Sequence, residues 1–282
     1  MLCTPILFAE NSKTEDTRAA LAPPKYGIIF RAEGVVYDSN YLLFEAWQQL
    51  FESLGITFTL EEFVPFVLET PQYILETICA KHGKEADINL LEEQKKRHEL
   101  IKKEKCMVYQ HAIDFIKDFG TRKKELNVTL GLLVHATSEE IQALVGQLGS
   151  EVVFDMLMSE LDGYLHFPPR PDGTTPADDM PDYINVHKPQ QKSFPRPLEE
   201  LYQEMAEKMG VECKRCLVFE STQAGIEAAT KLGMTILAVP TIYTKEYDFV
   251  GASAILNSFE GLDIQIAGKE TNTSQALQEV TA

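Results

Sequence analysis

The side chains of this sequence that could do chemistry gather at the ends of short apolar runs. Arg31 and Glu33 lie in Gly27-Ile-Ile-Phe-Arg31-Ala-Glu33-Gly34-Val-Val-Tyr-Asp38-Ser39, which reads as a short buried strand, a turn at Gly34 and the entrance to a helix. A guanidinium stays protonated at any usable pH and has no lone pair with which to attack, so Arg31 is excluded as a nucleophile. Glu33 keeps a carboxylate that could act as a base, and His135, at the end of the apolar run 128–134, could do the same near neutral pH. A histidine in that place also reads as a packed, hydrogen-bonded core residue. Arg31 and Lys188 together offer a planar fork and a point charge, which suit a phosphate unless Glu33 and Glu220 consume them both.

The elements that must position these residues follow from the pattern of apolar side chains. Residues 10–25 are polar and end in Pro23-Pro24, so 1–25 read as a flexible leader. Between 41 and 120 the apolar residues recur at spacings of three and four (Leu43, Phe44, Trp47, Leu50, Phe51, Leu54), and Pro65 and Pro71 divide this block into several helices. The mixed-charge stretch 92–105 reads as a solvated helix face. After Gly120 strands and helices alternate: a strand at 128–134, a helix over 138–148, a helix at 198–209, a strand at Leu217-Val-Phe, a helix at 222–232 and strands at 234–239 and 254–256. Such alternation predicts a parallel sheet covered on both faces, an α/β doubly wound core.

The first segment resembles the opening motif of the haloacid dehalogenase phosphohydrolases: apolar strand, Asp, x, Asp, Gly, two apolar residues, x, Asp, Ser. The similarity continues in order through His187-Lys188-Pro189, Phe219-Glu220-Ser221-Thr222-Gln223-Ala224-Gly225 and the segment 240–257, and looks like the β-phosphoglucomutase and xylulose-1,5-bisphosphate phosphatase branch. The resemblance implies a Rossmann-like core, 26–38 and 117–282, with an all-helical cap inserted at 39–116. It also implies an aspartyl nucleophile, a second Asp as acid and base, a hydroxyl for the phosphoryl oxygens and an acidic pair for magnesium. Those positions here hold Arg31, Glu33, His135 (with Thr137 the nearest hydroxyl) and Glu220-Ser221, while Leu43 stands where the mutase-like branch has a His. Lys188 is kept.

Changes at Arg31, Leu43, His135 and Ser221 lead to the expectation of a haloacid dehalogenase fold that no longer transfers phosphoryl groups and works by binding a protein or a phosphorylated ligand. The alternative is a sugar-phosphate phosphatase with a non-standard mechanism in which Glu33 or His135 activates water. Arg31, Thr137 and Lys188 are the phosphate-binding candidates. No cofactor is expected and Glu220 is the residual metal candidate, with magnesium needed only if phosphatase activity persists. Eight of the fourteen prolines fall in 163–197, an insertion that could dock on a protein partner in extended form or be a disordered surface segment. A net charge of -17 argues against nucleic acid and anionic membranes as partners. No apolar run approaches the roughly 20 residues of a membrane span, and 1–9 lacks the basic start of a secretory signal, so a cytoplasmic location is expected. Cys213-Lys-Arg-Cys216 has the spacing of a redox or zinc pair, but nothing completes a tetrahedral set, and Cys216 reads as the start of a buried strand.

Overall fold

In the computed structural model, which describes residues 6–7, 25–67, 69–105, 107–136, 153–161, 163–166, 185–187 and 196–265, the apolar runs become strands. Two of them, β1 (Ile6–Leu7) and β10 (Ile264–Gln265), pair in parallel. The others are β2 (Tyr26–Arg31), β3 (Val128–Val134), β4 (Met156–Ser159), β5 (Gly163–His166), β6 (Asn185–His187), β7 (Cys216–Glu220), β8 (Thr235–Ala238) and β9 (Ala254–Ile255). They form one sheet in the order β6-β5-β4-β3-β2-β7-β8-β9. Every neighbouring pair from β4 to β9 is parallel, and β2, β3 and β7 are buried along their whole length, as the near-continuous apolar runs require of strands covered on both faces.

Successive side chains of a strand point to opposite faces. Ile28 and Phe30 of β2 pack with Phe115 and Phe119 of α5 (Gln110–Leu126), and Phe30 lies flat on Phe219 with ring centroids 4.7 Å apart. Ile29 faces the other way, onto Leu201 and Met205 of α6 (Leu198–Met209) and Ile226 of α7 (Gln223–Lys231). The same alternation sends Arg31 and Glu220, the last residues of β2 and β7, to the α6 side.

The helices between β2 and β3 form a second core. In α1 (Ser39–Ser53), α2 (Leu60–Phe63) and α3 (Pro71–Lys81), the side chains of Phe44, Trp47, Phe51, Phe63, Ile74 and Ile78 cluster together, with α4 (Asn89–Glu104) packed along α1. Local caps set the breaks: Thr59 and Glu62 form a reciprocal capping box, and Thr70 caps α3 with Pro71 in its first turn. This is the all-helical cap. The chain passes to it and back as a two-stranded ribbon, in which the Asp38 N–H donates to the Met107 carbonyl at 2.7 Å and the Tyr109 N–H to the Val36 carbonyl at 2.9 Å. Tyr243, from the loop after β8, fastens the two bodies together. Its ring packs edge-on against Phe63 in the cap core, and its hydroxyl donates to Asp38 at 3.2 Å.

Three sequence readings change. Within the leader, the apolar pair Ile6–Leu7 is a strand. Within 163–197, β5 and β6 add antiparallel strands to the sheet edge, so that segment is not wholly an insertion; the prolines had masked two short extended pieces. The boundary at 116/117 falls inside α5, whose residues Ala112 to Phe119 pack on the core. Apart from Lys25, the rest of the leader, the helix expected over 138–148 and most of the Pro-rich segment lie outside the described residues. Cys216 does begin buried β7, and burial pushes its thiol up to about 12, far from the thiolate a redox pair needs.

Replacing Tyr243 with Phe should remove only the hydroxyl contact and cost about 1 kcal/mol. Tyr243→Ala, which also empties the ring's place, should cost about 3–5 kcal/mol. Urea unfolding of both variants separates the two contributions.

Candidate functional site

The C-terminal ends of β2, β3, β4 and β7 bring a group of ionisable side chains together. Arg31 is only 8% exposed. Its Nε lies 3.0 Å from Glu33 Oε2, and its Nη1 pairs with Glu160, the residue that follows β4. Register puts Glu160 there: Val134 pairs with Ser159, and the next N–H, that of Glu160, donates to the Val134 carbonyl at 2.9 Å. Glu33 Oε1 accepts from the Tyr37 hydroxyl at 2.8 Å and from the His135 N–H at 2.9 Å. Glu160 Oε2 is 2.7 Å from His135 Nδ1, and since an ionised carboxylate only accepts, that nitrogen carries the hydrogen. The His135 side chain itself is 54% exposed.

Glu220 is fully buried beside this group. Its Oε1 accepts from the Tyr202 hydroxyl of α6 at 3.0 Å, and its Oε2 accepts from the Thr222 N–H at 2.6 Å and the Thr222 hydroxyl at 3.1 Å. The carboxylate folds back over the first turn of α7 because position 225 is Gly, where an added Cβ would come within 1.8 Å of Glu220 Oε1. Ser221 turns its hydroxyl to the Glu33 carbonyl at 2.9 Å, beneath Gly34. There φ is +77° and a Cβ would fall 2.3 Å from that hydroxyl, so both the conformation and the close approach demand Gly.

Burial alone would lower the Arg31 pKa, but Glu33 and Glu220 outweigh it and hold the guanidinium above its ordinary value. Burial pushes Glu220 above the usual carboxylate range, while Arg31, Thr222 and Tyr202 pull the other way. Among the described residues the cluster sets three carboxylates against one permanent cation.

Five of the residues expected from sequence therefore meet: Arg31, Glu33, His135, Glu220 and Ser221. Leu43 does not join them; it sits on α1 and packs on the cap core. Thr137 and Lys188, two of the phosphate-binding candidates, lie outside the described residues. The third, Arg31, turns Nε and Nη1 toward Glu33 and Glu160. Glu160 and Tyr202 were missed. The signal for Glu160 was an acidic residue directly after Met-Leu-Met-Ser, a run too short to stand out as a strand. That for Tyr202 was a hydroxyl on the otherwise apolar face Leu201, Met205, Ala206 of its helix.

The described residues of the cluster do not make the near-octahedral set of oxygen ligands that magnesium needs. A guanidinium lies between Glu33 and Glu160, both Glu220 oxygens are engaged by Tyr202 and Thr222, and among the described residues no three His, Cys, Asp or Glu side chains form a group able to hold a metal ion.

Residues 27–233 match the haloacid dehalogenase-like hydrolase family. The chain belongs to that family. A haloacid dehalogenase-like hydrolase domain-containing protein of Arabidopsis thaliana is 40% identical over 60 residues, 21% of this chain; the match spans about a fifth (19%) of that relative's length. Among solved structures, a Deinococcus radiodurans family hydrolase with bound phosphate and sodium superposes with TM-score 0.58 at 15% identity, covering 85% of this chain and 93% of the other. CbbY of Rhodobacter sphaeroides in complex with phosphate gives TM-score 0.53 at 17% identity, with 84% and 96% covered. A Thermotoga maritima protein classed with the β-phosphoglucomutases gives 0.56 at 19% identity, with 82% and 94% covered. The haloacid dehalogenase-like fold with a helical cap, and structural relatives in the β-phosphoglucomutase and CbbY branch, are thus those expected from the motifs. No helix among the described residues is long and apolar enough to cross a membrane.

Arg31→Met should leave Glu33 and Glu160 buried without their counter-charge and cost about 3–5 kcal/mol near neutral pH. Glu220 binds its proton more tightly folded than unfolded. Protonation there therefore stabilises the fold, fully below the ordinary value of 4.5 and progressively less as pH rises through the folded pKa. Glu220→Gln should flatten the fall in stability above pH 4.5, read from urea midpoints across the acidic and neutral range.

Proposed function

We propose that this haloacid dehalogenase-fold protein does not form an aspartyl-phosphate and acts by binding. The observation that carries this is the Arg31 guanidinium, held between Glu33 and Glu160 and beside Glu220 at the end of the central strand, where the motif calls for the attacking carboxylate. A side chain that is always protonated cannot open the first step of the family's reaction. On this reading Arg31 takes the place of the cation as the neutraliser of the surrounding carboxylates, and no magnesium is required. The excess of carboxylates in the described cluster works against a phosphate dianion, so the ligand is a protein partner, with the Pro-rich 163–197 segment as the contact.

A second reading, a sugar-phosphate phosphatase with a non-standard mechanism, draws its support from family membership and from relatives whose structures hold phosphate. A mutant form of one of them, CbbY, was captured with xylulose-1,5-bisphosphate. The specific observation for this reading in the present chain is the half-exposed imidazole of His135, oriented by buried Glu160. On this reading that imidazole takes the proton from water. Arg31 would then supply positive charge to the transition state.

The two readings part in a phosphatase assay on p-nitrophenyl phosphate and a sugar-phosphate panel, with and without magnesium. The binding reading expects no turnover, and none on Arg31→Asp, because Ser221 still lacks a carboxylate. Turnover that disappears in His135→Ala and in Glu160→Gln would overturn it in favour of the phosphatase.

A further inference from the structure

A second concave site lies beside the turn at Gly34, a cavity of about 280 Å³ that is lined by none of Arg31, Glu33, His135, Glu160 or Glu220. Its walls come from the junction of core and cap. Val35, Ala112, Val239 and Phe259 make them largely apolar, while Asp38 and Tyr109 bring one residue from each strand of the ribbon that joins the two bodies. The volume sits at the small end of the roughly 300–1,000 Å³ typical of ligand pockets, enough for a single ring with a short arm.

Asp38 gives the cavity its chemistry. Its carboxylate accepts from the Tyr41 N–H at 2.9 Å and from the Tyr243 hydroxyl at 3.2 Å. Both donors are neutral, and among the described residues Asp38 takes part in no ion pair. Asp38 is the N-cap of α1, so the helix N-terminus offsets part of its charge, and His111 shares the cavity wall. No ion pair cancels the rest, and a carboxylate on a largely apolar wall favours a cation over an anion.

We propose that this cavity binds a small organic cation, an ammonium group carried on one apolar ring, with Asp38 as its counter-charge. Binding there is independent of whether the Arg31 cluster turns over phosphate. Occupancy would also be felt at the ribbon, because the Asp38 and Tyr109 N–H groups close its two hydrogen bonds and the Asp38 carboxylate receives Tyr243, which fastens cap to core.

The test uses the full chain and three probes of one shape: 2-phenylethylamine, 2-phenylethanol and phenylacetate. Each is titrated to its solubility limit by thermal shift and by saturation-transfer NMR. The amine is expected to raise the midpoint and to bind about threefold to tenfold more tightly than the alcohol, with phenylacetate inert. Amide exchange at Asp38 and Tyr109 should slow in the amine complex. Asn257→Trp, at an exposed position on the cavity rim, should abolish binding without touching α1 or the ribbon. Asp38→Asn should bring amine and alcohol to equal affinity. Silence from all three probes, phenylacetate binding as well as the amine, or undiminished amine binding in Asn257→Trp would each overturn the proposal.

Discussion

A guanidinium withdrawn from water is tolerated only where fixed counter-charges and acceptors meet it, and the end of β2 is built around that demand. Arg31 meets Glu33 and Glu160, and each of these is held in turn by a second group: Glu33 by Tyr37 and the backbone of His135, Glu160 by the His135 ring. Glu220, a little further along the same face, is held by Tyr202 and Thr222. The ends of four strands are therefore tied through one positive charge. The arrangement is polar on the α6 side and rests on the opposite side on stacked Phe30 and Phe219, with Phe115 and Phe259 around them. That aromatic layer gives the ion cluster a rigid floor, and rigidity is what keeps each carboxylate within reach of its donor.

The division into core and cap is visible in the packing. The cap has its own aromatic centre and touches the core through a narrow ribbon and through Tyr243, whose ring belongs to one body and whose backbone belongs to the other. A connection made of two hydrogen-bonded crossings constrains the cap more than two independent linkers would, since neither crossing can move without its neighbour.

Much of this was legible in the sequence because it rests on patterns with a period. The strands expected at 128–134 and 217–219 and the helices at 198–209 and 222–232 follow from apolar spacing and from Gly and Pro punctuation, as does the helical cap, and each of those strands and helices is found within a residue or so of its expected bounds. The meeting of Arg31, Glu33, His135, Glu220 and Ser221 followed from their common place at the ends of apolar runs. What escaped depends on tertiary register. Met156–Ser159 is only four residues long, and only its pairing beside β3 delivers Glu160 to Arg31. Tyr202 belongs to a helix whose apolar face is evident, yet nothing local says that its hydroxyl meets a carboxylate at sequence separation 18. The strands β5 and β6 were hidden because proline-rich composition conceals brief extended pieces whose partners are distant.

The outermost strands of the main sheet carry a consequence of their own. Among the described residues β9 is two residues long and β6 three, so each described border of the eight-stranded sheet offers a ladder of only a few open backbone groups. A long, flat border would act as a template on which another chain could add a strand. Here the strands that carry the long apolar runs are shielded in the interior of the sheet, and the pieces left at the rim are too brief to seed a growing one. Among the described residues the long apolar strands lie inside the sheet, and its rim shows few open backbone groups.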